Sequence, residues 1–436
     1  MTKIGKEFSW LEKILRFFEK LIPKKLYSFG QPIYHYALAL LAAVFYRFPS
    51  RKINIVAVTG TKGKTTTAEI INAIFEEAGF KTALADTLRF KVGNKSERNM
   101  YKMSLRGRFF TQRFLKRALE AGCDYAIIEI TSEAAKQYRH KFISLNALLF
   151  TNLAPEHIES HGSYDKYVEA KLSIAKALRS SRKKRRVLVA NKDDKESEKF
   201  LALNIQEKYK YGLDDAKDYR ILPDGLAFYF ENEKFESKLH GKFNIYNILA
   251  ALTYAKTQNI SPETMRKAIE KFSGVKGRVE FIEEGQNFKV VVDYAHTPDS
   301  LQKLYDVFQD RKKICVLGNT GGGRDKWKRA VMAEIAEKNC AHIILTNEDP
   351  YDENPREIVD EMARAIASPV YEIKIDRREA IREALRHAEQ NDVVLITGKG
   401  TDPYIMGPNN AKMPWSDSEV AREEIRKLYK PHAGTA

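Results

Sequence analysis

The sequence predicts an α/β fold: a central P-loop-type, mostly parallel sheet, a C-terminal Rossmann-like α/β domain, and a short helical N-terminal segment. Three observations carry that prediction. From residue 53 onward, apolar runs of strand length alternate with helical periodicity, the pattern of successive βα units. The first run ends in a glycine turn, TGTKGKTTT at 59–67, that opens a helix. A second series of apolar runs, each stopping at Gly, Asn or Asp, begins after about residue 275. The expected divisions are therefore 1–52, 53–275 and 276–436, in keeping with the roughly three units that a chain of this length suggests at ~150 residues each.

Residues 1–52 hold ten basic and three acidic residues, with Trp10, Leu11, Ile14, Leu15, Phe17, Phe18, Leu21 and Ile22 near helical spacing. This reads as a basic amphipathic helix. Pro23 and Pro32 are expected to bracket a break. The apolar run 33–48 that follows is shorter than the ~20 residues needed to span a bilayer. No signal-peptide cleavage arrangement is present, so export is not expected. Two readings stay open: peripheral membrane contact through residues 1–48, or packing against the next domain, favoured because the apolar run leads directly into the first strand. Either suits a cytoplasmic protein, the former at the inner face of the membrane.

That strand, INIVAVTG, leads into KTTTAEIINAIFEEAG, a helix with Ile70, Ile71, Ile74 and Phe75 on its inner face and Gly79 as its stop signal. The common phosphate loop places four residues between its glycines. Here only Thr61 and Lys62 separate Gly60 from Gly63. Backbone N–H groups across Gly60, Thr61, Gly63 and Thr66, with Lys64, would cradle a polyphosphate, and the Thr65 hydroxyl would face Mg²⁺. A tight βα turn without nucleotide would not need all of these together.

Further strands are expected at 125–131, 147–153 and 186–191, with polar residues where they end, the place at which open α/β sheets bind ligands. Glu129 alone would mean little. With His157 in TNLAPEHIESHG and Lys171 in YVEAKLSIAKAL it becomes a constellation. The run SRKKRR at 181–186 directly precedes a strand and reads as a solvated loop. No nucleic-acid-binding signature accompanies it, so no nucleic-acid partner is expected. The formal charge of +16 predicts attraction to anions in general. Cys123, Cys315 and Cys340 form no CxxC or Cys/His cluster, so reduced thiols are expected rather than a disulfide or a zinc site. The later apolar runs, KVVVDYA, KKICVLGNTGGGRD, AHIILTNED and DVVLITGKG, supply the second parallel sheet. GNTGGGRD lacks the GxGxxG of a dinucleotide site, which disfavours NAD.

Together with the shortened loop, the runs EITSEA, FTNLAPEHIESHG, HGKFNIYNILAA, GRVEFI, VVDYAHTPDSL, GGGRDKWKR and GKGTDPY resemble the Mur ligases, ATP-dependent amide-bond-forming enzymes of peptidoglycan assembly with folate and polyglutamate relatives. The likeness runs from about Ile53 to Tyr404 in consistent order and is greatest to the branch that adds the third residue to UDP-N-acetylmuramoyl-L-alanyl-D-glutamate. The resemblance implies a catalytic set of Lys64, Glu129, His157 and Lys171. Lys64 would bind the β- and γ-phosphates, Thr65 and Glu129 one Mg²⁺, and His157 a second Mg²⁺ beside Lys171, whose family counterpart is carbamylated. It further implies adenine contacts from Asn244 and Asn247, a phosphate contact from Arg278 and a nucleotide contact from Asp293. His296 would serve in positioning. Asn347, Asp349, Tyr351, Arg324, Lys399 and Asp402 would face substrate. The implied reaction passes the γ-phosphoryl group to a carboxylate and lets an amine displace phosphate, in a monomer whose partners are two small molecules.

Three departures bear on the substrates. Residues 1–52 are shorter than the family's UDP-holding domain and unlike it, so altered UDP recognition, or a lipid-linked or undecorated acceptor, is expected. The arginine of the family's DNPR run, which receives the distal carboxylate of diaminopimelate, falls at Tyr351, with a later ENPR at 353–356. Glu133 stands where a histidine is usual, and Thr401 and Asp402 replace the HE of GKGHE. Lysine, another amino acid, or diaminopimelate bound differently all stay open. The alternatives are a folylpolyglutamate or polyglutamate ligase and a non-catalytic ATP-binding membrane scaffold.

Overall fold

The computed structural model describes residues 24–156, 158–323 and 325–429. The amphipathic run at 10–22, His157 and Arg324 lie outside the described residues. Two α/β sandwiches follow one another along the chain, as the alternating apolar pattern predicts.

The first is an eight-stranded sheet in the order β4-β3-β2-β5-β1-β6-β7-β8. Its strands are β1 (Asn54–Thr59), β2 (Thr82–Ala85), β3 (Arg89–Val92), β4 (Lys95–Arg98), β5 (Tyr125–Glu129), β6 (Ala147–Phe150), β7 (Val187–Asn191) and β8 (Glu207–Tyr211). Only β3 runs against the rest, its pairings with β2 and β4 being antiparallel. Helices cover both faces, which is why β1, β5, β6 and β7 read as continuous apolar runs rather than alternating ones. One face packs under α2 (Lys64–Glu77), α5 (Lys242–Thr257) and α6 (Pro262–Lys271); the other packs under α3 (Arg108–Glu120) and α4 (Tyr164–Arg179). Ile70, Ile71, Ile74 and Phe75 are fully buried, as their helical spacing predicts. Between β8 and α5 lies an antiparallel meander of β9 (Lys217–Leu222), β10 (Gly225–Phe230) and β11 (Glu233–Ser237), for which the apolar pattern gave no signal because β9 is exposed throughout.

The second sandwich has the order β12-β13-β17-β14-β15-β16. It comprises β12 (Glu280–Phe281), β13 (Lys289–Val292), β14 (Lys313–Leu317), β15 (His342–Leu345), β16 (Tyr371–Ile373) and β17 (Val393–Ile396), and only β12 is antiparallel. Helices α7 (Pro298–Val307), α8 (Lys328–Asn339) and α9 (Pro355–Ala363) cover one face, and α10 (Arg377–His387) and α11 (Asp417–Tyr429) the other. A hairpin of β18 (Tyr404–Met406) and β19 (Lys412–Pro414) extends from the end of β17 toward the first sandwich.

Three expectations are corrected or refined. No break occurs at Pro32: α1 (Lys24–Phe45) runs through it. The proline forfeits one helical hydrogen bond, and packing of His35, Ala39, Ala42 and Ala43 carries the helix onward. The opposite face of α1 leaves Ile33, Leu41, Val44 and Phe45 more than half exposed. Cys315 and Cys340 are not separate thiols: β14 and the end of α8 bring them together as a disulfide, a juxtaposition across 25 residues that linear spacing does not reveal. The basic run 181–186 does form a connection, with Lys183 donating to the Ile53 carbonyl and Arg185 forked onto Glu207.

His140 is wholly buried, and burial pushes its imidazole down to about 3, with Lys141 adding to the effect. A histidine held neutral in the fold is protonated first in the unfolded chain, so its contribution to stability is present above the ordinary value of 6.5 and is lost progressively as pH falls toward about 3. His140→Leu is expected to remove one proton, about 1.4 kcal/mol per pH unit, from the acid-side slope of stability. Urea unfolding of both proteins from pH 4 to 7 checks this; identical slopes would contradict it.

Candidate active site

Parallel pairing places the ends of β1, β5 and β6 side by side, with Val58 opposite Glu129 and Thr59 opposite Phe150. The loop leaving β1 is bound to the segment leaving β6. Thr61 N–H donates to the Asn152 carbonyl at 2.7 Å, Lys62 N–H to Asn152 Oδ1 at 2.9 Å, and the Thr151 hydroxyl to the Lys62 carbonyl at 2.7 Å. Both glycines are required by this closeness. A Cβ at Gly60 would lie 1.9 Å from Thr151 Oγ1, and one at Gly63, which is left-handed at φ +81°, would lie 2.2 Å from Asn247 Oδ1. The loop therefore presents backbone N–H groups at the start of α2, the geometry of an anion cradle.

Oxygen donors gather beside it. Thr65 Oγ1 donates to Glu129 Oε2 at 2.9 Å, and the N–H and hydroxyl of Thr87 donate to the same oxygen. Lys64 Nζ lies 4.0 Å from Glu129 Oε1 and donates to the Thr61 carbonyl. Burial lowers the Lys64 pKa, and the Glu129 charge opposes the shift. A hydroxyl and a carboxylate next to a phosphate cradle are the hard donors that Mg²⁺ takes, so these residues fit the ion. Asp86 and Thr87, which follow β2, belong to this cluster but went unnoticed in the sequence because a four-residue strand gives little signal. Burial, with Glu69 and Glu129 nearby, pushes the Asp86 carboxyl well above the usual carboxylate range.

Lys171 lies behind the loop rather than in the cavity wall. It is 1% exposed, donates to the Gly60 carbonyl at 2.6 Å and sits over the Tyr167 ring. Burial, then the Lys64 charge, depress its pKa well below the usual lysine value. Glu156, the neighbour of His157, holds Lys62 at 2.8 Å and faces His296 Nε2 at 3.3 Å.

The other residues implied in nucleotide contact converge on the same cavity, of about 1560 Å³. Asn247 Nδ2 donates to Asn244 Oδ1 in the first turns of α5, directly against Gly63. Thr66 lines the wall nearby. Arg278 stacks on Tyr294, its centre 4.1 Å from the ring, and its buried Nη1 hydrogen-bonds to no described residue. Asp293 accepts from the N–H groups of Val279 and Ala295, and burial raises its pKa.

The cavity continues to the second sheet, where Glu348, Asp349, Tyr351 and Asp402 line it. Asn347 and Lys399 support it from behind: Asn347 accepts from Arg377 through its carbonyl, and Lys399 is fully buried with Nζ 2.7 Å from Asp349 Oδ1. Tyr351, not Arg356, faces the cavity, in a left-handed conformation at φ +53°. Arg356 is exposed and pairs with Asp360. Glu133 accepts from the Ser160 hydroxyl and lies 3.4 Å from His161 Nε2. Lys102, which the sequence did not single out, crosses from the first sandwich to place Nζ 2.9 Å from Asp349 and 2.8 Å from Asp402. Burial alone would lower its pKa; the Asp402 and Asp349 charges outweigh it and raise it.

Comparison with known proteins bears directly on this arrangement. Residues 58–255 match the Mur ligase middle domain and residues 277–400 the Mur ligase glutamate ligase domain. The chain is 37% identical over 409 residues to a UDP-N-acetylmuramoyl-L-alanyl-D-glutamate–2,6-diaminopimelate ligase of Syntrophomonas wolfei, spanning 90% of this chain and 82% of that one. A UDP-N-acetylmuramyl-tripeptide synthetase of Roseiflexus is 36% identical over 420 residues, with the same shares covered. A solved diaminopimelate-ligase structure superposes with a TM-score of 0.60 at 27% identity, covering 86% of this chain and 79% of that one. Folylpolyglutamate synthase of Mycobacterium tuberculosis superposes at 0.69 with 13% identity, over 91% and 95% of the two chains, a likeness of fold alone.

Lys102 joins the two sandwiches, so Lys102→Met, which keeps the stem and removes the charge, is expected to loosen them. Amide exchange in 398–406 should quicken about tenfold, about 1.4 kcal/mol of local opening. Unchanged exchange there would show that the contact contributes no net closure energy.

Proposed function

Because this chain belongs to the Mur ligase family, we propose that it is an ATP-dependent ligase joining an amino acid to a carboxylate of a peptidoglycan precursor of the UDP-N-acetylmuramoyl-dipeptide type, with release of ADP and phosphate. The observation that carries this reading is one continuous cavity. A glycine cradle with Thr65 and Glu129 forms one end, and the Asp349–Asp402 pair forms the other. Residues 53–275 would then carry ATP, and 276–436 would bring the amino acid.

In this reading Lys64 and the loop N–H groups hold the β- and γ-phosphates, while Asn244, Asn247, Arg278 and Asp293 orient the rest of the nucleotide. Thr65 and Glu129 would hold one Mg²⁺, and His157 and Lys171 would hold a second; bound Mg²⁺ would supply positive charge to offset that on the phosphoryl oxygens. The precursor carboxylate takes the γ-phosphoryl group, giving an acyl phosphate and ADP. The amine of the incoming amino acid attacks the acyl carbon, the carbon–oxygen bond to phosphate breaks, and an amide remains. Lys171, its pKa depressed by burial, would be a neutral amine able to attack CO2, lose a proton and become the carbamate that a metal site needs. Tyr351 cannot grip a carboxylate bidentately as an arginine does. Asp349 and Asp402 already hold a side-chain ammonium, that of Lys102, which favours a diamino acid as the second substrate. A monomer is proposed as the working unit.

Purified protein with Mg-ATP, UDP-N-acetylmuramoyl-L-alanyl-D-glutamate and either diaminopimelate or lysine is expected to release phosphate and yield a muramyl tripeptide by mass. Lys64→Ala should abolish turnover, and removal of bicarbonate should lower the rate of the unaltered protein. Turnover with glutamate alone would favour the polyglutamate reading instead, and phosphate release surviving in Lys64→Ala would overturn the assigned role of the loop.

We further propose peripheral contact with the inner membrane face through residues 1–48, as a cytoplasmic protein. The exposed apolar face of α1, next to the basic residues of 1–52, supports it. Among the described residues, no helix is long and apolar enough to cross a membrane. Sedimentation with anionic liposomes is expected, weakened by salt and by Leu41→Glu with Phe45→Glu; protein that stays in the supernatant at low salt would refute the contact.

A further inference from the structure

Far from the cavity, three side chains converge on a single point of the second sandwich. His342 opens β15, Glu372 lies in the edge strand β16, and His387 is the last residue of α10. Glu372 Oε1 stands 3.1 Å from His342 Nε2 and 3.0 Å from His387 Nε2, and the two imidazole centroids are 4.2 Å apart. One ligand atom from each residue falls within 4.8 Å of the others. Glu383, one turn earlier on α10, lies 3.8 Å from the same His387 nitrogen, and Lys374 approaches the far side of the Glu372 carboxylate at 3.6 Å.

We propose that His342, Glu372 and His387 form a binding site for a divalent transition-metal ion of the Zn²⁺ class, which pins the end of α10 to the edge strand of the second sheet. Around a tetrahedral ion with bonds of about 2.0–2.1 Å, donor atoms stand roughly 3.3 Å from one another. The two separations to Glu372 Oε1, 3.1 and 3.0 Å, are close to that and the two imidazole nitrogens lie within 4.8 Å, so side-chain shifts admit the ion. The donor chemistry selects the class: two imidazole nitrogens and one carboxylate suit Zn²⁺, Ni²⁺ or Cu²⁺, whereas Mg²⁺ takes oxygen donors almost exclusively. All three residues are partly exposed, which leaves a path for the ion and a position for water.

The competing account is a plain ion-pair cluster, in which both imidazoles donate to one carboxylate oxygen. Burial alone would raise the Glu372 pKa, yet hydrogen bonds from His342 and His387 hold it lower. That arrangement satisfies the carboxylate without metal, so the two accounts differ only in what happens when a metal is offered. The placement is suggestive in a second way. His342 is at the start of β15, while Asn347 to Tyr351 follow its other end, so the site sits away from the reacting groups. None of its three ligands lines the cavity. The same helix nevertheless begins with Arg377, whose guanidinium is forked onto Asp417 and donates to the Asn347 and Thr397 carbonyls. A clamp at His387 would thus steady the helix that braces the substrate end of the cavity.

The test uses metal-stripped, full-length protein titrated with Zn²⁺ in the presence of millimolar Mg²⁺. One Zn²⁺ per chain is expected, with a rise in melting temperature, and both should persist in Glu129→Ala, which separates this site from the oxygen cluster. His342→Ala with His387→Ala should weaken that Zn²⁺ binding at least 100-fold, and Glu372→Gln, which preserves size, at least tenfold. Cu²⁺ bound to the unaltered protein should show electron-spin coupling to two imidazole nitrogens. Equal Zn²⁺ affinity in the unaltered and doubly substituted proteins, or a Cu²⁺ spectrum without nitrogen coupling, would overturn the proposal.

Discussion

The site depends on one constraint above all, the parallel register of β1 between β5 and β6. Because Val58 is opposite Glu129, the carboxylate arrives where the β1 loop turns into α2, within reach of Thr65. Because Thr59 is opposite Phe150, the next residues of that strand, Thr151 and Asn152, strap the loop from the other side. A shift of one residue in either pairing would turn alternate side chains to the opposite face and separate loop, carboxylate and strap together. Neither the shortened loop nor the carboxylate would be a site alone. The fully apolar cores on both faces of this sheet fix that register, so the energetics of the fold and the geometry of the cradle have the same source.

Burial then sets the electrostatics. Lys64, Lys171, Glu129 and Asp86 occupy a small region from which water is largely removed, and an unpaired charge there is costly. Glu129 is satisfied by Thr65 and Thr87; Asp86 accepts two backbone N–H groups at Oδ1 alone, its Oδ2 is buried without a partner among the described residues, and its pKa is raised. Lys171 has the Gly60 carbonyl and the Tyr167 ring, neither of which neutralises a cation, and its depressed pKa follows. That environment is unlike a surface lysine's: Lys171 is held behind the loop by a main-chain carbonyl and an aromatic ring.

Much of this was legible in the sequence because the elements that matter are long, buried and bounded by glycine. INIVAVTG, YAIIEIT, ALLFTNL and RVLVAN each became a strand of the first sheet, and KVVVDYA, KKICVLG, AHIILTNED and DVVLITGKG of the second. What escaped was short or defined only by distance in space. The four-residue β2 hid Asp86 and Thr87, and the exposed β9 hid the meander. Lys102 reads as one basic residue among many until the fold sets it between two carboxylates 247 and 300 positions away. Cys315 and Cys340 are unremarkable in sequence for the same reason, as are His342, Glu372 and His387. The proline rule failed at Pro32 because packing along one face of α1 outweighed the loss of a single hydrogen bond.

The two ends of the cavity differ in how they are held, and the difference bears on substrate choice. The ATP end is built from backbone, with glycines that admit no side chain and main-chain donors whose positions follow from the sheet. The substrate end is built from charged side chains in exchange with one another: Asp349 serves Lys399, Lys102 and the Met406 N–H at once. Lys399 and Lys102 overcome the effect of burial and hold the Asp349 carboxyl below its usual range. Of these partners Lys399 is sealed in, whereas Lys102 comes from the other sandwich and leaves when the two separate. A molecule that brings its own ammonium would find there the two carboxylates that hold Lys102. One that brings a second carboxylate to the same place meets Asp349 and Asp402 together, and like charges in a confined space of low polarity repel strongly. Tyr351 offers no guanidinium to offset that repulsion. The far end is thus set by paired charges drawn from both sandwiches, and the loop end by main-chain N–H groups with Lys64 beside them, which favour an anion.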